Sequence, residues 1–211
     1  MPGIHDLPLF VLSGLLLNIT PGADTLYIVG RGTAQGRTAG ALAALGVGAG
    51  CCVHAVAAAL GLSAVLAASA TAFTIIKLVG AAYLVWLGAA MLRSSFSALR
   101  QSDALPAPVS ASRVFVQGML TNVLNPKVAL FFLAFLPQFV APDAPSKILA
   151  FLFLGAVFNV NTTLWNLFLA WSSGGIGRRL RAGTAAARWI NRTVGALFIG
   201  LGVKLAFSRI D

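Results

Sequence analysis

Six apolar stretches, roughly 7–29, 39–65, 73–93, 113–136, 147–171 and 188–207, take up most of the sequence. Each has about the 20 residues that an α-helix needs to cross ~30 Å of hydrocarbon. The remaining surface is too poor in charge for water: 58% of residues are hydrophobic and 9% charged, against roughly 25% charged in an ordinary soluble domain. Disorder is excluded as well, because it requires low hydrophobicity and high charge. The expectation is an all-α integral membrane protein of six transmembrane helices, with 1–211 forming one transporter-sized domain and no separate soluble unit.

A net charge of +10 invites a nucleic-acid reading. The basic residues do not form a stripe with interleaved aromatics, however; they collect between the apolar runs, so no nucleic acid is expected as a partner. Arg31, Arg37, Arg93, Arg100, Arg113, Arg178, Arg179, Arg181, Arg188 and Arg192 fall in or beside the first, third and fifth gaps. Only Lys77, Lys147, Lys204 and Arg209 fall on the other side. The excess of Lys and Arg marks the cytoplasmic face, which places the odd gaps in the cytoplasm and both termini on the outer face of a bacterial cytoplasmic membrane. No Lys or Arg precedes Arg31, so the first span is expected to stay as an anchor instead of leaving as a signal peptide.

Soluble-enzyme constellations are missing. The sequence has no paired carboxylates, no His/Cys spacing for a metal and no Gly-rich phosphate loop after a strand, so neither an enzyme nor a cofactor is expected. Gly174-Gly175-Ile176-Gly177 reads as a helix stop. Cys51 and Cys52 are neighbours, which bridge only with strain, and read as two small buried thiols. Asn18-Ile19-Thr20 and Asn161-Thr162-Thr163 match the glycosylation pattern but lie at membrane depth.

Two motifs recur half a chain apart. Thr20-Pro21-Gly22 returns as Asn125-Pro126-Lys127, and Val79-Gly80-Ala81-Ala82-Tyr83-Leu84 returns as Val194-Gly195-Ala196-Leu197-Phe198-Ile199, at offsets of 105 and 115. A duplicated unit of three spans must enter the membrane from opposite sides, giving an inverted 3+3 repeat (about 7–93 and 113–207), a plan recurrent in secondary transporters. Thr20-Pro21 and Asn125-Pro126 look like an N-cap residue followed by proline at the first helical position. Each pair lies in mid-span, so helices 1 and 4 are expected to be broken. The exposed backbone ends of a broken helix are tolerable only where they line a polar cavity.

Charges at membrane depth are costly and mark function. Asp24 is the only carboxylate inside a span, Lys127 follows the second break, and His54 lies in the second span. Asn18, Thr20, Pro21, Gly22, Asp24, Asn122, Asn125, Pro126, Lys127, Asn159 and Asn161 form the candidate substrate site, with Asp24 and His54 as candidates for proton coupling. Two readings of Asp24 stand side by side: a proton or substrate ligand, or the structural partner of Lys127 or Arg31. Gly46 and Gly50, four apart, fit close helix packing, and Gly-rich faces permit a homodimer.

The ordered motifs Asn18-Ile19-Thr20-Pro21-Gly22-Ala23-Asp24, Gln35-Gly36-Arg37-Thr38-Ala39-Gly40, Lys77-Leu78-Val79-Gly80-Ala81-Ala82-Tyr83-Leu84 and Asn122-Val123-Leu124-Asn125-Pro126-Lys127-Val128-Ala129-Leu130-Phe131-Phe132, followed by Leu136-Pro137-Gln138-Phe139, cover nearly the whole chain. In these the sequence resembles the LysE/RhtB family of bacterial amino-acid exporters, departing from it at Ala23, where the family usually has proline. The resemblance implies a six-span secondary transporter exporting an amino acid or close derivative (basic amino acids, homoserine, threonine or leucine), driven by the proton motive force through proton antiport. Its wider superfamily holds two rivals, a divalent heavy-metal exporter and a membrane thiol-redox carrier. The first would need more ligands at depth than Asp24 and His54 provide, and adjacent cysteines make a poor exchange pair.

Overall fold

The structure is a computed structural model and describes residues 3–68, 70–94, 107–173 and 185–207. The first span is two helices, α1 (Leu7–Ile19) and α2 (Ala23–Gln35), bent by 54°. Then come α3 (Arg37–Ala68) and α4 (Ala70–Ser94). The fourth span opens with α5 (Ala111–Val123), breaks, and continues through the short α6 (Pro126–Leu130), a π-helical turn (Phe131–Phe135) and a 3-10 turn (Leu136–Phe139). The bend there is 46°. Helices α7 (Lys147–Trp171) and α8 (Ala185–Phe207) complete the chain. The fold is all-α and multi-pass, with breaks in the first and fourth spans. Of the sequence readings, Arg100, Arg178, Arg179, Arg181, Arg209 and the 174–177 glycine stretch lie outside the described residues, as do the side chains of Lys77, Arg188 and Lys204.

Local chemistry accounts for the element ends. Ser146 accepts a hydrogen bond from the Leu149 N–H (3.3 Å) at the start of α7, an N-cap. Gly36, at φ +87°, reverses the chain between α2 and α3; nothing lies within 4 Å of where a Cβ would be, so the demand is torsional. Gly46 and Gly50 do what their spacing implies. A Cβ on Gly46 would run into the Phe115 carbonyl oxygen, and one on Gly50 would lie 2.7 Å from that of Met119, so α3 and α5 pack backbone to backbone.

Packing crosses between the halves as an inverted repeat requires. Helix α1 lies on α7 as α5 lies on α3, while α3 packs on α7 and α4 on α8. Two separate apolar clusters result. One gathers Phe10, Leu17, Cys51, Val128, Phe131, Phe132, Phe135, Phe139 and Phe158; the other holds Ile28, Ala43, Ala44, Val47, Val114, Leu169 and Ala170. Along three spans buried polar residues fall between them: Thr20, Asp24 and Thr25, then Asn122 and Asn125, then Thr162 and Asn166. The core is thus interrupted at the level of the breaks. Leu60, Trp86, Val160, Leu164, Trp171 and other large apolar side chains point outward, as a lipid-facing surface requires.

Candidate functional site

At the second break the sequence grammar is obeyed. Asn125 is the N-cap, its side-chain oxygen accepting from the Lys127 N–H (3.0 Å), and Pro126 begins α6. At the first break it is not. Thr20 terminates α1 and its hydroxyl donates back to the Leu16 carbonyl (2.9 Å). Pro21 sits in the break, Gly22 is the N-cap of α2, and no side chain caps that helix. The expected Thr20-Pro21 start is therefore displaced by two residues. A threonine hydroxyl that can bond the carbonyl four residues back has an alternative to capping forward.

Asp24, in the first turn of α2, is buried at 8% exposure. Its Oδ2 accepts from Asn122 Nδ2 (2.9 Å) and Asn125 Nδ2 (3.1 Å), while Oδ1 has no hydrogen-bond partner. Among the described residues no cation lies within ion-pair distance of it, so neither Lys127 nor Arg31 neutralises Asp24 directly. The Lys127 ammonium crosses instead to the first break, donating to the carbonyls of Leu17 and Thr20 (3.1 Å each). Those are orphan carbonyls at the negative end of α1, where a cation is favoured. Its Nζ would stand 3.1 Å from a Cβ on Gly22, so the ammonium group lies directly beside the start of α2.

His54 lies at the rim. Its Nε2 is 3.0 Å from the Asn122 carbonyl oxygen, a contact it makes only as a donor, and its ring stacks on Phe132 (5.9 Å between centroids). Asn18 accepts from the Thr162 hydroxyl (3.2 Å). Asn159 and Asn161 do not join the group. Asn159 Nδ2 meets Cys52 Sγ (3.1 Å) and its Oδ1 accepts from Thr163; Asn161 donates to the Val11 carbonyl (3.2 Å). Both tie α7 to a neighbouring helix. Of the two thiols, Cys51 is buried but Cys52 is exposed, which corrects the expectation of a buried pair.

A second polar cluster escaped the sequence reading. Arg31, expected in or beside the first gap, lies within α2 at 7% exposure. Its guanidinium donates to Gln35 Oε1 (3.0 Å), the Ala107 carbonyl (2.8 Å) and Gln117 Oε1 (2.9 Å), and rests on Tyr27. Tyr27 in turn donates to the Val114 carbonyl (2.8 Å), and Gln35 Nε2 to that of Val109 (2.8 Å). This clamp ties α2 to α5, one half of each broken span. The other halves meet through aromatic rings, Phe10 against Phe131 and Phe139, and through backbone bonds from His5 N to Phe139 O and Ala141 N to Gly3 O. The spacing of Tyr27, Arg31 and Gln35, each four apart on one helical face, was the available signal.

A family model described as LysE type translocator matches residues 15–209. An uncharacterized membrane protein of Pseudomonas aeruginosa is 34% identical, over 99% of this chain and 98% of its own length. The leucine efflux protein of an Enterobacter species is 29% identical over 97% of this chain and 96% of its own. The threonine efflux protein of Escherichia coli K12 is 30% identical over 90% and 92%. No solved structure matches the chain significantly.

Proposed function

The chain belongs to the LysE-type translocator family of small-molecule efflux transporters, and on that premise we propose that it exports an amino acid or close derivative from the bacterial cytoplasm in exchange for protons. It is a membrane transporter and not an enzyme. The names of its relatives, leucine efflux protein and threonine efflux protein, support a neutral amino acid over other small molecules. The orientation that goes with this reading puts both termini outside and the Arg31 clamp on the cytoplasmic side.

The observation that carries the proposal is the pairing of opposite charge preferences at the first break. Asp24 offers a buried carboxylate oxygen without a partner, suited to an ammonium group. Within the same turn α2 presents a start that no side chain caps, suited to a carboxylate. A zwitterion satisfies both at once. Asp24 takes the substrate's ammonium group or, in its absence, a proton, so that the two compete for one site. Lys127 holds the end of α1 and brings its positive charge beside Gly22. Alternating access then requires the Arg31 clamp and the aromatic contact to open in turn.

The experiment is uptake into proteoliposomes with an acidic lumen, offered a pool of labelled amino acids. Accumulation that collapses on adding a protonophore supports proton antiport, and splitting the pool names the substrate. Folded, inserted protein that accumulates none of the pool refutes the reading, and labelled divalent metal ions are then tested in the same vesicles.

A further inference from the structure

We propose that Asn166, with Asn18 beside it, is the specificity-determining contact for the carboxylate of the transported substrate. This rests on the amino-acid reading and goes beyond it, because neither the break motifs nor the charged residues point to α7. The inference begins with register. Helix α7 and the first span run side by side in the same direction. Phe158 lies against Gly14, the Thr162 hydroxyl reaches Asn18, and Ser173 with the Ala170 carbonyl lies against Gly32. Asn166 is one turn beyond Thr162 on the same face. It therefore sits between the Asn18 level and the Gly32 level, opposite the break and the uncapped first turn of α2.

At that position Asn166 is 4% exposed, and its Nδ2 has no partner. Asn18 is in a similar condition: Thr162 occupies its amide oxygen, and its buried Nδ2 has no partner. Buried carboxamides with a purely structural role are ordinarily satisfied. The unpartnered atoms around the breaks divide by kind. On the α7 side they are donors: Asn18 Nδ2 of α1, and Asn166 Nδ2 and Trp165 Nε1 of α7. On the α5 side they are acceptors: Asp24 Oδ1, and Asn122 Oδ1, which faces Gly50 of α3. Metal cations or simple amines would meet the acceptors and leave the donors bare; inorganic anions would do the reverse. An α-amino acid meets both, its carboxylate turned to α7 and its ammonium group to α5.

The test uses the reconstituted full chain and the labelled amino acid found in the pool, competed by that amino acid unlabelled or by its methyl ester. The ester keeps the ammonium group but lacks the negative charge. The wild type should prefer the acid by ten-fold or more, roughly the effect of one hydrogen bond to a charged group. Asn166→Leu should weaken competition by the acid about ten-fold and leave the ester unchanged. Asn166→Asp keeps the shape but swaps a donor for an acceptor, and should reverse the preference toward the ester. The isosteric variant decides the matter if the leucine variant does not fold. An acid-to-ester ratio that stays at its wild-type value in Asn166→Asp, or acid and ester weakened equally, overturns the proposal. A wild-type protein that moves no amino acid overturns instead the reading on which it rests.

Discussion

The two breaks begin from nearly the same sequence, a polar residue followed by proline in the middle of an apolar span, and end as different structures. The second is self-sufficient: Asn125 caps Lys127 and Pro126 starts the helix. The first is incomplete, with a proline outside any helix, a glycine N-cap and a start that no side chain closes. What completes it comes from the other half of the molecule. Lys127 satisfies the carbonyl end of α1, and Asn122 and Asn125 hold Asp24. The two breaks thus differ in kind: the second furnishes side chains and the first receives them, which on the proposed reading leaves the first to meet the ligand.

The largest effect expected of any single change falls on Asp24. Asp24→Asn has the same shape and its amide oxygen can still accept from Asn122 and Asn125, but it removes the one carboxylate that the described residues place at the breaks and puts a donor where the open Oδ1 stood. Truncating one partner of a buried charged contact costs about 2–5 kcal/mol, so gradient-driven uptake should fall by roughly 100-fold or more. Near wild-type uptake would remove Asp24 from the site and with it the idea that the first break is the ligand's.

Lys127→Met comes next and asks whether one break supports the other. It leaves the Leu17 and Thr20 carbonyls short of a donor, each at about 1–3 kcal/mol. The thermal midpoint in detergent should drop by about 5 °C or more for a chain of this size, with uptake down at least ten-fold. A variant as stable as the wild type would mean that the end of α1 needs no help from the second half.

Much of this was legible in the sequence. The multi-pass all-α fold, the two breaks and the meeting of Asp24 with Asn122 and Asn125 follow from composition, proline position and the cost of charge in lipid. What could not be read was rotation about each helix axis. Asn159 and Asn161 are two residues apart, roughly 200° around the helix, so one bonds to α3 and the other to α1. Thr162 and Asn166, four apart, share one face of α7 and are both buried, and composition alone does not separate them from Asn159 and Asn161. Arg31 was misplaced for a related reason: α2 runs past the expected span end to Gln35, so an arginine expected in or beside the first gap is buried among neutral acceptors. Thr20 was misread because a hydroxyl has two backbone partners within reach and sequence does not choose between them.

Two milder substitutions sharpen the comparison at its matched positions. Asn125→Ala removes both a cap, worth about 1 kcal/mol, and a donor to Asp24, worth about 1.5–3 kcal/mol as a bond to a charged group. Uptake should fall about ten-fold and the thermal midpoint should drop by about 5 °C or more. At the corresponding place in the first break, Thr20→Val removes a hydroxyl that caps nothing. The Leu16 carbonyl it served still accepts the Thr20 backbone N–H (3.3 Å), so no buried acceptor is orphaned and the side-chain volume hardly changes. The cost should stay within about 0.5 kcal/mol, a shift of at most ~2 °C in the thermal midpoint, with uptake within a factor of about two. If Thr20→Val were instead as damaging as Asn125→Ala, the hydroxyl would have to act forward on α2 or on the substrate. The two breaks would then be equivalent after all, and the division of labour between them would be lost.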